Sequence, residues 1–245
     1  MEIERLMPGR GIRSNAGTMG VAAVTLLRDD GENVLVDTGH FGGRTELLAA
    51  MKQKKLAPGD IDTVVLTHIH WDHCINVDLF SKSKILVGEN ELRMGYMMGV
   101  KDGHTKYFKQ LLKTMGVKTV REGAKISKNA AGILTAGHSP GHVAVSVKND
   151  DGSTTVIAGD AIPNYRAYLR NFPDLIFYSS SEARSSIRRI KKMRPVMIIP
   201  GHDSPFNVSG YLEHDEFKLI LRRENEENSI ITVNTVAADK PLVFT

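Results

Sequence analysis

The stretch that most constrains this chain is Thr67-His68-Ile69-His70-Trp71-Asp72-His73, which directly follows the apolar run Thr63-Val64-Val65-Leu66. The apolar run reads as part of a strand, Ile61 to Leu66, buried on both faces. At its C-terminal end stand three histidines and an aspartate. In extended chain, residues two apart project to the same side, so His68 and His70 can reach one point. Asp72 and His73 fall where the chain should turn, and can serve a second point beside the first. Imidazole and carboxylate are the usual ligands of a hydrolytic Zn²⁺. The fold must therefore deliver more ligands to this strand end.

Three later places can supply them. His142 closes Gly137-His138-Ser139-Pro140-Gly141-His142, just before the expected strand Val143–Val147. Asp160 follows the expected strand Thr154–Ala158, and His202 follows the expected strand Pro195–Pro200. Each sits at a strand terminus beside glycine, where the backbone turns sharply and loops converge. The supply suits two metals. His68, His70 and His142 are expected to hold the first, and Asp72, His73 and His202 the second, with Asp160 bridging. His138 reads as a loop-ordering residue outside the ligand set. His40, His104 and His214 read as solvated. Cys74, the only cysteine, reads as a small buried apolar residue because every ligand position is filled. Trp71 has two readings, packing beside the metal loop or forming a wall of the substrate entrance.

The rest of the chain is patterned as strands and a few helices. Strands are expected at Val21–Leu27 and Asn33–Val36, joined by an Asp-Gly turn, and at Lys84–Val87. Short strands are expected again at Val117–Val120 and Gly132–Thr135. Helical periods cover 44–54, 105–115 and 182–193, the last capped by Ser180 or Ser181. A charged helix is expected over 213–225, followed by an edge strand at Ile230–Val233. Residues 1–18 show little periodicity. Residues 89–116 are rich in Met and Gly and suit an adaptable substrate wall or lid. No linker or repeat divides the 245 residues, so two sheets with helices outside is the expected layering. The net charge of +4 reads as solvated basic helix faces. Without aromatic interleaving it gives no nucleic-acid groove. The start has no signal-peptide pattern and no apolar run reaches membrane-spanning length, so the expected place is the cytoplasm.

The His68–His73 motif, with Gly141-His142, Gly159-Asp160 and Gly201-His202 in that order, resembles the metallo-β-lactamase superfamily. Asp37-Thr38-Gly39 is similar to its early Asp-containing turn, which supports the metal loop. The resemblance runs from about Gly20 to about His202. It implies a single α+β domain, a four-layer αββα sandwich with two divalent metal ions at one edge. These are usually Zn²⁺, and Fe or Mn in some members. It implies a hydroxide held between the metals as nucleophile, with Asp72 orienting it and delivering its proton. Lactonase-like members place a tyrosine just after the bridging aspartate, and Tyr165 is the nearest one here. No inserted domain or basic arm of the nucleic-acid-processing members is present. That leaves compact hydrolases of esters, lactones or thioesters, acting on a small molecule and often paired as homodimers. The alternatives are a compact ribonuclease of the same superfamily, or a non-catalytic metal-binding scaffold.

Overall fold

Apolar residues at every second position set the layers, and β-strands carry them. The structure is a computed structural model that describes residues 1–14, 17–94, 103–173, 175–212, 216–221 and 229–234. The N-terminal half runs β1 (Glu2–Met7), β2 (Arg10–Ser14), β3 (Gly17–Val21), β4 (Val24–Asp29), β5 (Glu32–Val36), α1 (Arg44–Gln53), β6 (Thr63–Val65) and α2 (Trp71–Cys74). It continues through β7 (Lys84–Gly88), α3 (Glu89–Met94), α4 (Gly103–Thr114) and β8 (Lys118–Val120). The C-terminal half runs β9 (Ala130–Leu134), β10 (Val143–Lys148), β11 (Thr154–Gly159), α5 (Tyr165–Arg170), α6 (Ser180–Lys192) and β12 (Met197–Pro200). Four short strands end it: β13 (Phe206–Asn207), β14 (Gly210–Tyr211), β15 (Glu216–Leu221) and β16 (Ser229–Asn234).

Two six-stranded sheets result, ordered β1-β4-β5-β6-β7-β8 and β14-β13-β12-β11-β10-β9. In the first, β5, β6, β7 and β8 run parallel. In the second, only β11 and β12 do. Alternation sorts side chains between layers. On β4, Leu27 faces the other sheet while Leu26 faces helices; on β6, Val65 and Val64 divide the same way. Between the sheets, Leu27, Val36 and Val65 pack with Val143, Val145 and Ile157. Outside the first sheet lie Leu47 and Met51 of α1 and Phe108 and Leu112 of α4. Outside the second lie Ile187 and Ile190 of α6. This is the expected αββα sandwich. Burying a leucine- or isoleucine-sized side chain contributes about 1.5–3 kcal/mol, so each helix is held by its apolar stripe rather than by propensity.

Several expectations change. The single strand over Val21–Leu27 divides, because the chain leaves the β2–β3 hairpin and enters the sheet at β4. Ala23 N–H marks the crossing by donating to Gly201 O at 2.8 Å. The aperiodic N-terminus holds β1, with Ile3 opposite Leu27 of β4. Residues 216–221 of the expected 213–225 helix form a strand, paired antiparallel with β16 with residue 219 in register with residue 231. The remainder of that helix, including His214, lies outside the described residues, as do 95–102 of the lid candidate. Helix α6 starts earlier than expected, and its cap is Ser179, whose side chain accepts from Glu182 N–H.

Candidate metal centre

Strand β6 ends at Val65, and the next turn is secured by the β5 strand beside it. Asp37 takes a left-handed backbone, φ 62°, and aims its carboxylate along the strand ends. Its Oδ1 accepts from Thr67 N–H at 2.7 Å and its Oδ2 from Thr67 Oγ1 at 2.8 Å. The same Oδ2 accepts from His73 Nδ1 at 2.8 Å. Thr38 N–H donates to His73 O at 2.7 Å. One aspartate and its neighbour thus hold both ends of the motif, the supporting role the early Asp-containing turn implies. Helix α2 begins within the motif, with His70 as its N-cap. Its first turn carries Asp72 and His73 away from the extended His68–His70 segment.

Four imidazoles are tethered by the outward nitrogen, which leaves the other facing inward. His68 Nδ1 lies 3.1 Å from Thr67 Oγ1, and His73 Nδ1 is on Asp37. His138 Nδ1 donates to Leu175 O at 3.0 Å, and His202 Nδ1 to Val21 O at 3.1 Å. The inward atoms meet in three groups, each with ligand atoms within 4.8 Å: His68, His70 and His138; His68, His73 and Asp160; Asp72, His73 and His202. Asp160 spans them. Its Oδ1 lies 3.5 Å from His73 Nε2 and 3.2 Å from His202 Nε2, and its Oδ2 3.3 Å from His138 Nε2. Three of these inward atoms, His68 Nε2, His73 Nε2 and Asp160 Oδ1, are fully buried with no hydrogen-bond partner. Each such orphan costs about 1–3 kcal/mol. Divalent cations within reach of all three would remove that cost, so the residues present fit metal ions.

His142, expected beside His68 and His70, lies with its ring centroid 5.1 Å from that of His68. Its Nε2 accepts from Asp160 N–H at 3.0 Å, and its Nδ1 is 2.8 Å from Thr135 Oγ1. Burial, with His138 adding to it, pushes its pKa down to about 3. His138, expected only to order its loop, has its ligand atom within 4.8 Å of those of His68 and His70. Its Nε2 is 2.9 Å from His70 Nδ1.

Tyr165, named from the resemblance, is not among the residues that line the cavity over the centre. It opens α5, and its ring packs on Tyr168, Phe206 and Tyr211. Cys74 is buried as expected, at 0% exposure. His104 is half-buried in the first turn of α4, with Nε2 3.3 Å from Ile69 O, rather than solvated on a loop.

Glu91 is a residue that sequence reasoning missed. It is buried, and Oε1 accepts from Ser139 Oγ at 2.5 Å and Gly141 N–H at 2.8 Å. Oε2 accepts from Ile69 N–H at 3.3 Å. One carboxylate thereby joins the loop between His68 and His70 to the loop after His138. A Cβ on Gly141 would run into the Glu91 backbone, so this approach requires glycine. The only signal in sequence was an acidic residue within an otherwise Met-rich stretch.

The charges of the centre are coupled. Burial opposes charge on His73, but Asp160, Asp37 and Asp72 together hold its pKa well above the usual imidazole value. Burial, then the neighbouring His73 and His70, hold His68 well below it. Burial opposes charge on Asp160 too, yet His202, His73 and His138 hold it well below the carboxylate range. Asp160 is thus held anionic and His68 neutral, the states that bind metal, whereas an ion reaching His73 would have to displace a proton.

A cavity of about 520 Å³ opens on the centre, lined by Asp72, His138, Asp160 and His202 and walled by Trp71 and Phe177. Trp71 therefore forms a wall. The β2–β3 hairpin closes one side through Ile12 and Gly20. A Cβ on Gly20 would strike the Asp72 carboxylate, so only glycine lets the hairpin lie this close.

The family description of the Metallo-beta-lactamase superfamily matches residues 17–202. Metallo-beta-lactamase domain-containing protein 1 of Xenopus laevis is 30% identical over 192 residues, covering 76% of this chain and 73% of that protein. An N-acyl homoserine lactonase of Bacillus cereus is 24% identical over 166 residues, 64% of this chain and 62% of that protein. A solved structure of a Bacillus thuringiensis AiiA variant, with N-decanoyl-L-homoserine at its active site, covers 82% of this chain and 92% of its own at a TM-score of 0.68 and 20% identity. The chain belongs to the metallo-β-lactamase superfamily. Family and site together support a metal-dependent hydrolase.

Proposed function

We propose that this chain is a dinuclear metal-dependent hydrolase that cleaves the acyl bond of a small-molecule ester, lactone or thioester. The observation that carries this is Asp160, whose two oxygens face two separate histidine groups across buried, unpartnered ligand atoms. His68, His70 and His138 would hold one divalent ion, with Zn²⁺ expected. Asp72, His73 and His202 would hold the other, and Asp160 would bridge. Such ions, when bound, lower the pKa of a water from 15.7 to about 7 and polarise a substrate oxygen.

The protein's own groups do the rest. Asp37 fixes the ring of His73. His142 holds the Asp160 backbone from behind. Asp72 lines the cavity, where it can orient the attacking water and pass its proton toward the leaving group. Trp71, Phe177, Leu175 and Ile12 give the cavity apolar walls, which suit an acyl chain and exclude bulk water. Among the described residues no lysine or arginine lines this cavity, which disfavours the ribonuclease alternative, since phosphate backbones are bound through cations. The names of the lactonase relatives point the same way.

The test is turnover by protein carrying two equivalents of Zn²⁺ on an acyl lactone, an aryl ester, a thioester and single-stranded RNA. Hydrolysis of at least one acyl substrate with RNA left intact is expected. Cleavage of RNA alone, or of nothing, would overturn the proposal.

A further inference from the structure

One hydrogen-bond donor on the cavity wall is left unused by the metal ligands. Asn164 caps α5, and its Oδ1 accepts from Ala167 N–H at 2.8 Å. That bond identifies the amide ends, because an N–H can be met only by an acceptor. Oδ1 is committed, and Nδ2 remains. Among the described residues Nδ2 has no hydrogen-bond partner, and it is not one of the fully buried unpartnered atoms. Asn164 lines the cavity beside Asp160 and His202.

Its position is fixed from both sides. Pro163 O accepts from His202 N–H at 2.8 Å. Tyr165 N–H donates to Asp203 Oδ2 at 3.0 Å, and Tyr211 Oη donates to the same oxygen at 2.8 Å. The peptides flanking Asn164 are therefore tied to the loop that carries His202, and its side chain is held by the cap. Trp71 Nε1 also reaches the cavity wall, but among the described residues no hydrogen bond fixes that ring.

We propose that Asn164 Nδ2 donates a hydrogen bond to the leaving oxygen of an oxygen ester or lactone, which rests on the hydrolase reading above. In that reaction a water oxygen bonds to the acyl carbon and the acyl carbon–oxygen bond breaks. The electron pair stays on the leaving oxygen, which takes one proton from the water and departs as the alcohol. The second proton leaves the acid product to solvent. Negative charge grows on the leaving oxygen beside His202, and a donor fixed in advance stabilises it without reorganising. Sulfur is a weak acceptor, so a thiolate leaving group gains little. Asn164 thus makes the site selective for oxygen over sulfur leaving groups.

The test is kcat and KM for a matched pair, an alkyl ester and its thioester, with bound metal and Tm measured on the same samples. Asn164→Ser keeps a good helix cap and removes the donor. Its kcat on the oxygen ester should fall about 100-fold, with little change on the thioester, in KM, in metal content or in Tm. Asn164→Asp, which also caps but offers only an acceptor, should lose at least as much on the ester. Unchanged ester turnover in both variants, or equal losses on ester and thioester, would overturn the assignment alone. Wild-type protein inactive on both compounds would overturn the hydrolase reading and this assignment with it.

Discussion

His138 and His142 share one loop and the same residue type, and only the backbone separates their roles. Gly137, at φ 140°, turns the chain so that His138 reaches the centre, and Val143 starts β10 directly after His142. A sequence shows that one of the two must serve the site. It does not show which ring comes nearest His68 and His70: the ligand atom of His138 lies within 4.8 Å of theirs, while His142 accepts from Asp160 N–H. His68, His70, Asp72 and His73 were legible because strand geometry and adjacency place them without help from the rest of the chain. Glu91 was not, because its partners Ile69, Ser139 and Gly141 are brought to it only by the fold. His138→Ala should bind about one equivalent of Zn²⁺ where wild type binds about two, read by elemental analysis after gel filtration. His142→Ala should keep both equivalents. The reverse result would restore His142 to the ligand set.

At the scale of elements, strands bounded by turn residues were readable, and elements defined by a distant partner were not. Residues 5 to 2 lie opposite 25 to 28 of β4, a pairing no local pattern announces. The charged stretch at 216–221 mimics a helix in composition but finds β16. Asp29 shows how the two halves are joined. It ends β4 in the first sheet and accepts from Ser127 Oγ at 2.7 Å and Asn129 N–H at 2.6 Å, just before β9 of the second. Burial raises its pKa, but these bonds outweigh that and leave it lowered. A lowered carboxylate pKa means stability that is present above the unfolded value of about 3.9 and lost as pH falls through the lower folded value. Asp29→Asn should therefore cost about 1–2 kcal/mol at pH 7 and progressively less below pH of about 4. Urea denaturation of both proteins across that range checks it, and a difference independent of pH would contradict it.

At the scale of the molecule, two sheets bring one end of β6, β10, β11 and β12 to a common edge, and every group of the centre comes from the segments leaving or entering there. The recurrence of His or Asp beside Gly at strand ends made this convergence legible before any coordinates. What was not legible was the side of the cavity closed by the β2–β3 hairpin, since Ile12 and Gly20 come from a stretch with little periodicity. The fold also explains why the centre tolerates so much buried polarity: Asp37, Glu91 and the peptide of Asp160 hydrogen-bond the loops that carry it. The most direct measurement is acyl hydrolysis by a single preparation before and after a strong chelator, with metal counted at each stage. About two equivalents of divalent metal, turnover lost on chelation and turnover restored when Zn²⁺ is returned are the predicted results. Turnover that survives complete removal of metal would contradict the account.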